Sequence, residues 1–207
     1  MRIGIVADIH DAVNPLKRAL TLLRQHGVEQ VVTLGDAFET YLPHEPGADV
    51  AALLDEAGAV GVWGNHDLGL SYEVDGSVRG VADPGLLRFA SRLRPQVVVA
   101  ECRFSHIEPW KDPSNPVDLW LFDGIPNTVE RAAKSFDAVP ERILFVGHFH
   151  SWFAVTPHGT EDWHGTCPID LHAPKRYLVS VGAVIDGCCA LYDTAQSRLT
   201  PIRCSED

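Results

Sequence analysis

Five short blocks carry carboxylates, imidazoles and one side-chain amide in order along the chain: Asp8-Ile9-His10, Gly35-Asp36, Gly64-Asn65-His66-Asp67, Ser105-His106 and Gly147-His148-Phe149-His150. This donor chemistry, without thiolates, suits divalent manganese, iron, zinc, nickel or cobalt, and two carboxylates with several imidazoles suffice for a pair of ions. Taken singly, Asp8-x-His10 reads equally as a surface turn, Gly35-Asp36 as the end of a strand, and His106 as a loop histidine. The ordered set carries the signal. His148 and His150 stand two apart after a buried run, where an extended chain would send their side chains alternately to opposite faces, so a turn must redirect one of them.

The elements that would position these blocks follow from the apolar pattern. Arg2 to Ala7 is a short β-branched run, and Asn14-Pro15 pairs a helix N-cap with a proline at the first helical position. Leu16, Ala19, Leu20 and Leu23 share one helical face, and His26-Gly27 ends it. Val28–Leu34 reads as a second strand, Ala48–Ala57 as a helix and Ala59–Trp63 as a third strand. Asp83-Pro84 opens another helix, which returns to a strand at Gln96–Ala100. This alternation predicts βαβ units and a parallel sheet. From Ile143 the runs Ile143–Val146, Trp152–Thr156, Tyr177–Val181 and Cys188–Tyr192 leave little room for helices, predicting a more antiparallel sheet. The expected fold is therefore α/β, with two packed mixed β-sheets flanked by helices around one core, as a single domain over residues 1–207. In open α/β sheets, ligands gather outside the carboxyl ends of the strands, where these blocks fall.

Composition narrows the partners. Seventeen Lys and Arg against 28 Asp and Glu give a formal charge of −11, which disfavours nonspecific nucleic-acid binding and anionic membranes. An anionic substrate would need local positive charge, which bound cations can supply. No apolar run is long enough for a membrane span, and the N-terminal apolar stretch is cut by Asp8, so a cytoplasmic location is expected. The five cysteines are odd in number and show no CxxC spacing. They read as reduced thiols, mostly in or near the core.

The blocks together resemble the calcineurin-like metallophosphoesterase superfamily, whose pattern runs DxH, GD, GNH[DE], H, GHxH; the match spans residues 8 to 150. The resemblance implies a β-sandwich flanked by helices with a two-metal site. Carried over residue by residue, it assigns one ion to Asp8, His10, Asp36 and His150, and the other to Asp36, Asn65, His106 and His148. Asp36 would bridge them. It assigns His66 as the catalytic histidine, with Asp67 as its orienting partner. Two divalent ions about 3.5 to 4 Å apart can hold a bridging hydroxide, orient a phosphate and neutralise developing charge, while a histidine beside a carboxylate can protonate the leaving oxygen. The implied activity is hydrolysis of a small phosphorylated substrate, a phosphodiester first, with phosphomonoester, nucleotide or protein-phosphate hydrolysis at the same site as alternatives.

Two departures qualify the branch. Ala37-Phe38-Glu39-Thr40 lacks the arginine that follows Gly-Asp in Ser/Thr protein phosphatases, and Asp67 stands where that branch carries Glu. After His106 comes Ile107, where many small bacterial members have glycine. No GxSxG, GxxxxGK[ST] or GxGxxG motif supports another hydrolase or nucleotide-binding class. A non-catalytic interaction scaffold would be expected to have lost ligands or the catalytic histidine, and here they are present.

Proline-rich Pro109–Pro126 and the stretch Pro157–Pro174 read as long loops. Trp110, Trp120 and Trp163 in these loops read first as hydrophobic anchors and second as stacking surfaces for a base or aromatic leaving group. His158, His164, Cys167 and His172 match no zinc spacing. His26, His44 and the Arg88, Arg92, Arg94 run read as solvated surface.

Overall fold

A computed structural model describes residues 1–39, 45–74 and 76–204; His44 lies outside them. The strands are β1 (Arg2–Val6), β2 (Gln30–Thr33), β3 (Val60–Gly61), β4 (Gln96–Val99), β5 (Cys102–Ser105), β6 (Ile143–Val146), β7 (Phe153–Thr156), β8 (Gly159–Thr160), β9 (Ile169–Asp170), β10 (Tyr177–Ser180), β11 (Cys188–Asp193) and β12 (Arg198–Arg203). The helices are α1 (Val13–Gln25), α2 (Glu45–Glu56), α3 (Gly76–Val81), α4 (Pro84–Ala90), α5 (Pro116–Trp120) and α6 (Val129–Ala138). Two mixed six-stranded sheets form, ordered β3-β2-β1-β11-β12-β9 and β4-β5-β6-β10-β7-β8.

Strand alternation builds the layers. Ile3 and Ile5 of β1 turn inward to meet Phe104, Phe145, Val179 and Tyr192 between the sheets, while Val6 faces Leu16, Leu20 and Leu23 of α1 in the outer layer that α2 and α4 complete. In β6, Phe145 faces the inter-sheet core, but Leu144 and Val146 pack with Ala132 and Phe136 of α6 on the other side. The expected two-sheet architecture flanked by helices is what forms. Among the described residues no helix is long and apolar enough to cross a membrane.

Several local expectations change. The β1–β2–β3 pairings are parallel as read; the second sheet is antiparallel at β4–β5, β7–β10 and β7–β8, as expected of a more antiparallel sheet, but keeps β5–β6 and β6–β10 parallel. The first helix begins at Val13 with Ala12 as its cap and no side-chain cap bond, so Asn14 is not the N-cap. Asp83 does cap α4, accepting from the Gly85 and Leu86 amides. The Pro109–Pro126 stretch contains α5, capped by Asn115. Strand β12 contains Pro201, which argues against a central strand; β9 reaches only Arg198 and Leu199, so on that side the missing amide at Pro201 faces no neighbour. All five cysteines are free, four of them buried, with Cys189 Sγ 3.3 Å from Cys204 Sγ.

Candidate metal centre

The blocks converge because each begins where a strand stops. Asp8, His10, Asp36, His148 and His150 all adopt φ between 47° and 70°. This left-handed region is one that non-glycine residues enter at a cost, with Asp, Asn and His the usual exceptions. That backbone solves the problem posed by His148-Phe149-His150: both imidazoles turn toward one cleft while Phe149 stays buried. The strand ends also approach closely. A Cβ on Gly35 would lie 2.7 Å from the Gly64 nitrogen and from His106 Nδ1, and one on Gly64 would lie 2.1 Å from Asp36 Oδ1; only glycine fits at both positions.

Three groups of donors share the cleft: a first of Asp8, His10 and His150, a second of Asp36, His106 and His148, and a third of His10, Glu39 and His66 that overlaps the first at His10. In the first, His10 Nε2 and His150 Nε2 stand 3.2 Å apart, and His150 Nε2 is 3.9 Å from Asp8 Oδ1. In the second, Asn65 Oδ1 lies 3.0 Å from both His106 Nε2 and His148 Nδ1, and those two nitrogens are 3.1 Å apart. Asp36 Oδ2 lies between these two groups, 3.3 Å from His106 Nε2 and 3.9 Å from His10 Nε2. All seven residues expected as ligands are thus brought together.

The donor set fits cations. Bonds of about 2.0 to 2.1 Å to a tetrahedral ion put ligand atoms roughly 3.3 Å apart, the spacing seen between these nitrogens. Asp8 Oδ1 accepts the His148 amide at 2.9 Å, but Asp8 Oδ2 is buried without a hydrogen-bond partner, an arrangement that is costly unless something positive meets it. His106 Nδ1 lies 2.7 Å from the Leu34 carbonyl oxygen; donating there leaves Nε2 turned to the cleft, the outer bond that orients a metal-binding imidazole. Ile107, in the position often held by glycine, is buried in the outer core and does not displace His106.

Charge at the centre is finely divided. Burial opposes the His106 imidazolium, yet Asp36 and Asp8 beside it prevail and raise its pKa to about 9. Burial and the His106 charge push His148 down to about 3. Burial lifts Asp8 to about 7, against the pull of His106. Burial disfavours ionisation of Asp36 too, but His106 and the His66 amide hold its carboxyl well below the usual carboxylate range. A divalent ion held by these residues would take over the role of the protons they share.

His66 stands at the edge of the cleft. Its amide donates to Asp36 Oδ1 at 2.8 Å, and its Nδ1 lies 2.8 Å from Glu39 Oε2. The assignment of Asp67 as its orienting partner is therefore corrected. The Asp67 oxygens are occupied by the amides of Phe38 and Gly64, at 3.0 and 2.8 Å, because the chain turns sharply after Gly64 and buries that carboxyl beneath the loop. Glu39, which sequence reasoning missed as a site residue, also places Oε1 2.6 Å from His10 Nδ1. Its signal was available: a carboxylate three residues after Asp36 in the same loop. Asp186, 3.5 Å from His150 Nδ1, had no such signal, since it arrives from the β10–β11 connection. The His158–His172 stretch joins no cluster of three or more metal-donor residues among the described residues.

Comparison with known proteins places this geometry in context. The description "calcineurin-like phosphoesterase superfamily domain" matches residues 1–164. No curated protein matches significantly. Among solved structures, a metallophosphoesterase from Sphaerobacter thermophilus aligns over 100% of this chain and 89% of its own, at 21% identity and a TM-score of 0.76. A hypothetical protein from Pyrococcus horikoshii aligns over 100% and 88% at 16% identity and 0.62, and an archaeal phosphodiesterase over 98% and 99% at 14% identity and 0.56. These likenesses establish the fold.

Proposed function

Because this chain belongs to the calcineurin-like phosphoesterase superfamily, we propose that it hydrolyses a phosphoester bond, that of a small phosphodiester, with two divalent cations as cofactor. The observation that carries this reading is Asp36 Oδ2, within 3.9 Å of His10 Nε2 and 3.3 Å of His106 Nε2, where one carboxylate serves both the first and the second donor group. Asp8, His10, Asp36 and His150 would hold one ion, and Asp36, Asn65, His106 and His148 the other. When bound, the pair supplies positive charge for the phosphoryl oxygens and activates water.

The chain's own contribution is positioning and proton supply. Glu39, 2.8 Å from His66 Nδ1, would accept from that nitrogen and leave Nε2 of the ring as the one that can protonate a leaving alkoxide. The amide bond from His66 to Asp36 ties the proton donor to the bridging carboxylate. Asp67, the next residue along, is enclosed by backbone amides and is not placed to supply that proton.

The test is metal analysis of the purified protein with a panel of phosphodiesters, phosphomonoesters and nucleotides. The reading expects tightly held divalent metal, hydrolysis of bis(p-nitrophenyl) phosphate, and a preference for diesters. His66→Ala should keep its metal content and lose roughly 10²- to 10⁴-fold in turnover. A metal-loaded protein without hydrolysis of any ester overturns the proposal.

A further inference from the structure

Trp120 and Phe122 are large aromatic side chains that remain 42% and 59% exposed, and both lie against the centre. The Trp120 ring is 5.2 Å from the His66 ring, tilted by 48°. The Phe122 ring is 6.0 Å from that of His148 and 6.3 Å from that of Phe149. Trp163 is what an anchoring tryptophan looks like in this fold: 5% exposed, its Nε1 donating to the Cys167 carbonyl at 2.7 Å. Trp120 and Phe122 are far more exposed than that, and both rings lie beside the donor groups.

The chain leaves α5 at Trp120 and is extended at Leu121, and the rings on either side of that residue both reach the centre, Trp120 at His66 and Phe122 at His148. The segment is also held in place. Lys111, buried against Glu108 at 3.0 Å, donates to the Leu121 carbonyl at 3.2 Å and pairs with Asp123 at 3.6 Å. Two rings fixed by a buried cation, one beside the expected proton donor and one beside the second donor group, form a preorganised wall rather than a loose loop.

We propose that Trp120 and Phe122 receive a planar aromatic arm of the substrate, so that the ester turned over here carries a nucleoside or aryl group. The inference deepens the phosphoesterase reading and rests on it. A leaving oxygen protonated by His66 has Trp120 next to it, and stacking on an aromatic face tolerates any planar ring because each presents a π-surface.

The test measures inhibition of bis(p-nitrophenyl) phosphate hydrolysis by the metal-loaded full chain, using inorganic phosphate, glycerol phosphate, phenyl phosphate and adenosine monophosphate. Adenosine monophosphate or phenyl phosphate should inhibit about tenfold or more tightly than glycerol phosphate, equivalent to about 1.4 kcal/mol. The order between those two separates a nucleoside arm from an aryl arm. Trp120→Ala/Phe122→Ala should narrow the gap to about threefold and leave inhibition by inorganic phosphate unchanged, and Trp120→Phe should restore much of the preference. Equal inhibition by glycerol phosphate and both aromatic esters in the wild type overturns the inference, as does an undiminished preference in a double variant that retains its metal. Absence of hydrolysis by the metal-loaded wild type overturns the phosphoesterase reading and this inference with it.

Discussion

Glu39 divides one carboxylate between two histidines, with Oε1 2.6 Å from His10 and Oε2 2.8 Å from His66. Such outer contacts fix ring orientation and basicity, and their loss typically costs about 10- to 100-fold in activity or metal affinity. Glu39→Gln keeps the size but removes the charge and one of the two acceptors. We expect kcat to fall by about that factor, with a smaller loss of bound metal; kinetics paired with metal analysis will check it. Asp67 was singled out over Glu39 because adjacency along the chain is visible in a sequence and adjacency across a turn is not. The meeting of the seven expected ligands in one cleft was legible, since each is a polar residue close behind an apolar run. The partners that aim them were legible only in part.

At the scale of the element, the strand-end turns do the positioning, and their demands are steric. Gly64→Ala would set a Cβ 2.1 Å from Asp36 Oδ1 and 2.5 Å from the Asp36 nitrogen, so the turn must open. Metal analysis should find most of the bound cation lost. Asp83→Ala removes the acceptor for the Gly85 and Leu86 amides at the start of α4. It should cost about 1 kcal/mol in denaturant unfolding while leaving metal content unchanged. The two substitutions separate damage to the site from damage to the scaffold. The elements read most accurately were those with a strong period or a capping signal, such as β6, β10 and α4. Helix α6 escaped because it buries a narrow face of Ala132, Ser135 and Phe136, too small and polar to stand out. Strand β12 escaped because its proline is tolerated only where β9 falls short, a fact about neighbours rather than about β12 itself.

At the scale of the whole molecule, Asp8, His10, Asp36 and Asn65 follow strands of one sheet, while His106, His148 and His150 follow strands of the other. Cations held between them would cross-link the sandwich, so a chelator should lower the unfolding midpoint. The metal-free protein should also lose stability as pH rises from about 6.5 to 9. His106, raised to about 9 in the fold, contributes stability that is complete below its unfolded value and disappears as pH climbs through 9. Asp8, raised to about 7, contributes in the same direction and loses the rest of its share as pH passes 7. His148, lowered to about 3, and His150, also lowered, act in the opposite sense near the unfolded histidine value of 6.5, and both add no slope once the unfolded imidazole is neutral, so the loss belongs to the upper part of the window. Thermal unfolding with and without added manganese or zinc should show the larger metal-induced gain at the alkaline end; a gain independent of pH would contradict the proton–metal exchange. The central place of β1, between β2 and β11, also sets a timetable. A ribosome completes Asp8 and His10 long before it reaches His148 and His150, 140 residues further on, and the bare edge of β1 waits for Asp193. A nascent chain therefore emerges with half a cage and no lock, and it gains its chemistry only as translation nears the end of β11.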